Sequence, residues 1–301
     1  MDPLQNYTPT SDGYAKINRN IELYYQLWKP EGIPRGKVIM LTGVCATLVQ
    51  FQVFADHLRN EEYEVLLFDH IGTGRTETER KVLETLKYST LDYAHDTLDL
   101  INILWKKQPV NVFGVSFGGT VAQKLGLLLQ REGRLQSLFL SNTTLCLGKW
   151  AAYIPDFCFK LFVKYSKVSV DRAIKQTFHK EFLNEKHPLV DKTYGKLIKE
   201  RWDKEFNQWF NYQNEPGEYV KFRACAKHST SSEQIKQLQL TNVSVWIANR
   251  DPVVSTRQQK YLAKALGANS FVIDSGLHTL GDLKELRLFL DFLVHHLDSF
   301  N

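Results

Sequence analysis

Hydrophobic positions along the chain fall into two rhythms that alternate. Short apolar runs bounded by Gly, Pro or polar residues predict buried strands at residues 37–42, 64–69, 110–115, 135–141, 243–248 and 270–274. Two further strands are predicted at 14–18 and 21–28, the second partly alternating, with a Pro- and Gly-rich turn at 29–36 behind them. Between the runs, apolar residues recur at helical spacing. Helices are predicted at 48–59 (Phe51, Phe54, Leu58), at 120–130 (Val121, Leu125, Leu128, Leu129), at 256–266 and at 280–297. Another should open at the Ser89-x-x-Asp92 pair and bury Leu91, Ala94, Leu98, Ile101 and Leu104. Residues 1–13 are polar and read as a loose arm. Strands alternating with helices pair in parallel, so the fold class is α/β, a mostly parallel eight-stranded sheet with ligands outside the strands' carboxyl ends.

The rhythm breaks between 148 and 238. This stretch is helical in pattern and rich in aromatics (Trp150, Tyr153, Phe157, Phe159, Phe162, Tyr165, Trp202, Phe206, Trp209, Phe210), and the strand–helix order resumes after it. The expected organisation is therefore one core in two parts, 1–147 and 239–301, with a helical cap inserted at 148–238.

Composition narrows the function only a little. Apolar content of 43% and charged content of 24% over 301 residues are ordinary for a globular protein. The net charge of +5 is concentrated in 147–238, where 17 Lys/Arg face 11 Asp/Glu. A basic cap suits peripheral contact with an anionic membrane surface, and it equally describes a solvated helical face. No nucleic-acid-binding signature accompanies it. Neither a signal-like apolar region at 1–20 nor a membrane-length apolar stretch occurs, so the expected compartment is the cytoplasm. Cys45, Cys146, Cys158 and Cys225 are scattered and read as free thiols, not as a disulfide frame or zinc site.

The candidate chemistry starts at Gly114-Val115-Ser116-Phe117-Gly118-Gly119, a G-x-S-x-G pattern set between a strand and a helix. A serine on so sharp a turn needs small neighbours, which Gly114 and Gly118 supply, while Gly119 lets the helix start close to the sheet. A serine hydroxyl needs a base, and the base needs a carboxylate to orient it. Asp251 follows the strand at 243–248 and His278 follows the strand at 270–274, so Ser, Asp and His all sit at strand ends of one sheet. Asp274 competes for the acid role but belongs to its strand, and Asp69 is expected to tie its own loop through Arg75. The other histidines lie in helices (His57, His95, His295, His296), in the cap (His179, His187, His228) or ahead of the serine (His70). Acyl transfer also needs two donors for an oxyanion. Position selects the backbone N–H of Phe117 and that of Val44, with Cys45 as the second choice.

With these residues in place the chain resembles the α/β-hydrolase superfamily over nearly its full length. The resemblance is carried by Leu41-Thr42-Gly43, Phe68-Asp69-His70-Ile71-Gly72-Thr73-Gly74-Arg75-Thr76, the serine elbow, Asn249-Arg250-Asp251-Pro252-Val253-Val254 and Gly276-Leu277-His278. Tyr88-Ser89-Thr90, Asp96-Thr97 and Asp99-Leu100 are similar to a broad group of hydrolases. The resemblance implies a Ser116–Asp251–His278 triad, a helical lid between the sixth and seventh strands, and no cofactor or metal. Serine at 116 argues against the dehalogenases and epoxide hydrolases of the superfamily, which use a carboxylate there. Two departures stand out: Thr42-Gly43 where many relatives carry His-Gly, and Leu277 between Gly276 and His278. The expected activity is hydrolysis of small carboxylic esters or thioesters, lipid-like acyl groups among them. The alternatives are a catalytically silent binding protein on the same fold and an acyltransferase using the same triad.

Overall fold

The computed structural model describes residues 7–146, 153–155, 158, 170–209, 214–239, 241–274, 277–278 and 282–300. One sheet of eight strands organises them: β1 (Ser11–Lys16), β2 (Glu22–Trp28), β3 (Gly36–Leu41), β4 (Tyr63–Phe68), β5 (Val110–Val115), β6 (Leu135–Ser141), β7 (Val243–Ala248) and β8 (Asn269–Ile273). Their spatial order is β1-β2-β4-β3-β5-β6-β7-β8. Strands β3 to β8 pair in parallel, and only the β1–β2 and β2–β4 pairs are antiparallel. β5 lies at the middle of the parallel part, so a residue just past its carboxyl end is flanked by the ends of β3 and β6.

The helices α1 (Gln52–Asn60), α2 (Arg80–Thr85), α3 (Thr90–Trp105) and α4 (Phe117–Arg131) precede β6. Between β6 and β7 the described elements are all helices: α5 (Val170–Thr177), α6 (Lys180–Asn184), α7 (Tyr194–Trp209), α8 (Asn214–Ala226) and α9 (Ser232–Leu238). Then come α10 (Thr256–Leu266) and α11 (Leu283–Asp298).

Strand side chains alternate between two apolar layers, as period-two geometry requires. Ile39, Leu41, Leu66, Phe68, Val112, Leu138, Leu140 and Val245 join α3, α4 and α10 on one face. Val38, Met40, Val65, Leu67, Phe113, Phe139 and Trp246 join α1 and α11 on the other. Both faces are covered, which is why the parallel strands read as continuous apolar runs.

Several predicted bounds shift for physical reasons. β1 begins at Ser11, not 14, because an edge strand with one buried side chain, Ala15, shows no alternation to read. The helix predicted from 48 begins as a 3-10 turn, Leu48–Phe51, where the Asp69 carboxylate takes the Leu48 N–H at 2.9 Å. The helix predicted from 120 begins at Phe117, directly after the serine, its first turn hidden by the glycine pair. In α3 the expected stripe is partly wrong. Leu91 faces solvent, while Tyr93, Thr97, Leu100 and Trp105 are buried with Ala94 and Ile101. Thr97 can be buried because its hydroxyl donates to Tyr93 O at 2.7 Å, and Trp105 because its indole N–H donates to Glu64 Oε1 at 2.9 Å. The last helix starts at Leu283, not 280, and residues 279–281 lie outside the described set. So do the predicted cap aromatics Trp150, Phe157, Phe159, Phe162, Tyr165 and Phe210, and Gly276.

Candidate active site

β5 ends at Val115 and the chain passes at once into α4, with Ser116 between them at φ 55° and ψ −120°. A residue with a Cβ adopts such a conformation at a cost of about 1–3 kcal/mol, so its surroundings must hold it there. They do so from β6. The Ser116 N–H donates to Ser141 O at 3.0 Å, and the Thr143 hydroxyl donates to Ser116 O at 2.8 Å. A Cβ at Gly114 would lie 2.5 Å from Gly118 O, and one at Gly118 would collide with Leu41 O at the end of β3. The same atom at Gly119 would meet Thr143 Cβ at 2.6 Å. At Gly114 and Gly118 the turn is thus packed against backbone, and at Gly119 against the Thr143 side chain. Phe117 opens α4, where a main-chain N–H has no carbonyl one turn back to bind.

The loop after β3 runs alongside. A Cβ on Gly43 would stand 3.4 Å from Ser116 Cβ and 3.9 Å from its Oγ. Val44 and Cys45 come next, Cys45 at φ 58°. Its N–H is already committed, donating to Glu218 Oε2 of α8 at 2.6 Å.

Asp251 follows β7. Its Oδ1 accepts from the Val253 and Val254 N–H groups at 2.8 and 3.0 Å, and its Oδ2 from Asn142 Nδ2 and Gln259 Nε2 at 3.1 and 3.0 Å. Burial opposes the carboxylate's charge. The hydrogen bond and charge of His278, with the donors from Val254 and Asn142, outweigh that and hold its pKa below the ordinary range. His278 bridges the two others: Nδ1 is 2.9 Å from Asp251 Oδ1, and Nε2 is 3.0 Å from Ser116 Oγ. With Nδ1–H donating to the carboxylate, the lone pair of Nε2 faces the serine hydroxyl.

The rival residues lie elsewhere. Burial pushes His70, His228 and His296 each down to about 3, so these rings are neutral. His70 is walled by Phe68, Tyr93 and Phe117, His228 bonds Thr90 Oγ1, and His296 bonds Ser244 Oγ. Asp274 accepts from Asn249 Nδ2 at 2.6 Å. Asp69 ties its loop through main-chain N–H groups, those of Leu48 and Arg75, and the Arg75 guanidinium reaches Tyr24 Oη instead. The four cysteines are free, and among the described residues no group of three or more His, Cys, Asp or Glu could hold a metal ion.

Four residues in this neighbourhood escaped the sequence reading. Asn142 had a usable signal, since it follows β6 directly at the same sheet edge. Gln259 one turn into α10, and Glu218 and Lys221 on α8, had none. A glutamine or lysine on a helix is normally solvated, whereas Gln259 and Lys221 are fully buried.

The model of the family described as serine aminopeptidase, S33 matches residues 32–200, more than half of the chain. The chain belongs to that family. Among curated proteins, this S33-family chain is similar to the monoglyceride lipases of Rattus norvegicus (27% identical over 103 residues, 33% of each chain) and Homo sapiens (27% over 123 residues, 38% of this chain and 39% of the relative). The match therefore spans only about a third of the first relative's length (33%). Among solved structures it resembles a hydrolase from Pseudomonas aeruginosa PA01 (TM-score 0.72, 18% identity, 96% of this chain and 99% of the other). It also resembles the enol-lactonase from Burkholderia xenovorans LB400 (TM-score 0.71, 18% identity, 95% and 100%). At such identities the likeness establishes the α/β-hydrolase fold. No helix among the described residues is long and apolar enough to cross a membrane.

Proposed function

We propose that this S33-family protein is a serine hydrolase of carboxylic esters or thioesters, working through an acyl-enzyme on Ser116. The observation that carries the proposal is the His278 imidazole held between the Asp251 carboxylate and the Ser116 hydroxyl. Nε2 takes the hydroxyl proton as Oγ attacks the acyl carbon, and the imidazolium that forms is stabilised by the carboxylate at Nδ1. The proton then passes to the leaving alcohol or thiol. Water, activated by the same nitrogen, adds to the acyl carbon, and the acid leaves as Ser116 is reprotonated. In both stages the Phe117 N–H and the Val44 N–H stabilise the oxyanion, Cys45 being engaged by Glu218. No cofactor takes part.

A lipid-like acyl substrate is favoured by the monoglyceride lipases among the relatives. On this proposal residues 148–238 form a cap over the site, with 1–147 and 239–301 as the core. The basic balance of the cap serves peripheral approach to anionic membranes, and the enzyme works in the cytoplasm.

Turnover of p-nitrophenyl esters of increasing chain length tests the proposal. Ser116→Ala is expected to lower kcat by about 10³-fold or more with the fold intact. Wild-type turnover by that variant, or failure of a fluorophosphonate probe to label Ser116, would reject the acyl-enzyme.

A further inference from the structure

α8 reaches the loop after β4 so closely that a Cβ on Gly217 would run into Gly72 O. That contact brings the next residue, Glu218, against the loop after β3. Glu218 and Lys221 are 4% and 0% exposed, and one helical turn apart Lys221 Nζ stands 2.6 Å from Glu218 Oε1, an ion pair whose two atoms make no hydrogen bond among the described residues. Two charges are buried only at a desolvation cost of several kcal/mol, which good geometry must offset. Here the carboxylate spends its second oxygen on a single main-chain donor, the Cys45 N–H at 2.6 Å. The loop is therefore held at two points with one residue between them. Gly43 lies against Ser116, and Cys45, at φ 58°, is bonded to Glu218. Only Val44 stands between them. The Thr42 hydroxyl, just ahead of these points, is buried without a hydrogen-bond partner among the described residues, so the side chain preceding Gly43 does not secure the loop.

Building on the acyl-enzyme proposal, we propose that Glu218 is a positioning residue for the oxyanion loop, with Lys221 as its counter-charge. By accepting from Cys45, Glu218 fixes the Val44–Cys45 peptide plane, and with Gly43 packed against Ser116 this limits the turn at Val44 and so aims the Val44 N–H at the carbonyl oxygen of an acyl group on Ser116. A bare carboxylate bonded to the residue next to the donor would oppose a developing oxyanion. Lys221 cancels that charge, so the strut orients the donor without repelling what the donor binds.

The test compares Glu218→Ala, Glu218→Gln, Lys221→Met and the Lys221→Met/Glu218→Gln double variant with wild type on p-nitrophenyl butyrate, recording the thermal midpoint of each. Removal of the acceptor in Glu218→Ala is expected to lower kcat roughly 10- to 100-fold with KM within about twofold, short of full loss of an oxyanion donor. Glu218→Gln keeps an acceptor oxygen and is expected to stay within about threefold of wild-type kcat while its midpoint falls, since Lys221 loses its partner. A strut with no catalytic consequence would not separate kcat from stability in this way. Lys221→Met should lose kcat, and adding Glu218→Gln should restore it. Wild-type kcat in Glu218→Ala, or equal losses in the Ala and Gln variants, would overturn the proposal. Should the alanine variant not fold, the Lys221→Met pair decides: a double variant no faster than the single one overturns it. Ser116→Ala separates the two levels. If it still turns over substrate, the acyl-enzyme itself is wrong; if it is dead while Glu218→Ala is unaffected, only the positioning role falls.

Discussion

Asp96 is buried on α3, and its nearest counter-charge is Arg19, whose Nε lies 3.6 Å away. Burial is the larger influence, and it raises the carboxyl from its ordinary value to about 7 in spite of Arg19. Proton counting gives the sign of the consequence. Between the unfolded value near 4 and the folded value near 7, the native state holds a proton that the unfolded chain has lost, so stability falls as pH rises through that window. Asp69, pushed up to about 6 by burial, adds to the same slope. Asp96→Asn should therefore flatten the decline of the urea midpoint between pH 5 and pH 8, raising the midpoint more at pH 8 than at pH 5. An unchanged slope would show that Asp96 titrates normally. Asp251 has the opposite sign, since a carboxylate with a lowered pKa contributes stability above its unfolded value and loses it in acid.

α3 shows what an element owes to local chemistry. Its Ser89 Oγ accepts from the Asp92 N–H, and Asp92 Oδ2 accepts from the Ser89 N–H at 2.8 Å, two orphan donors satisfied within one four-residue stretch. Ser89→Ala is expected to cost about 1 kcal/mol of unfolding free energy, measured by chemical denaturation, because the Asp92 N–H loses its side-chain acceptor and Asp92 Oδ2 the Ser89 hydroxyl. The cap was legible from the sequence because both partners lie within four residues. The buried face of the same helix was misread at Leu91, because the choice of face is made by distant strands that no local window contains. The strands β6 and β7 and the helix α10 were legible to the residue, each an apolar run or stripe bounded by polar positions. In the candidate site the convergence of Ser116, Asp251 and His278 at one sheet edge could be anticipated from strand order. The acceptor on Cys45 could not, since it depends on a helix more than 170 positions away.

At the scale of the molecule, the sheet separates two apolar layers, and the layer on the α1–α11 side is dominated by aromatic rings. Phe113, on the central strand, lies with its ring centroid 5.8 Å from Phe51, 5.4 Å from Phe139 and 5.7 Å from Phe289. Phe113→Ala should leave a cavity under the whole layer and destabilise the protein by about 3–5 kcal/mol, read from the denaturant midpoint at constant slope. A loss below about 1 kcal/mol would mean that the layer repacks freely. The opposite layer holds α8, whose buried Tyr219, Val220 and Ala224 join the core beside β-strand residues. Glu218 is therefore anchored by the same packing that stabilises the sheet, and its bond to Cys45 needs no separate hinge to hold it.

On the proposed mechanism, the order of the strands also governs when the protein acquires its chemistry. Ser116 is set by β5 and β6, but the carboxylate and the imidazole that face it arrive only behind β7 and β8. If Ser116 is the nucleophile proposed above, a nascent chain emerging from the ribosome exposes that alcohol long before its base is in place. On the same proposal, premature stops or proteolytic clipping upstream of β8 should yield fragments that carry Ser116 without its base and do not turn over esters.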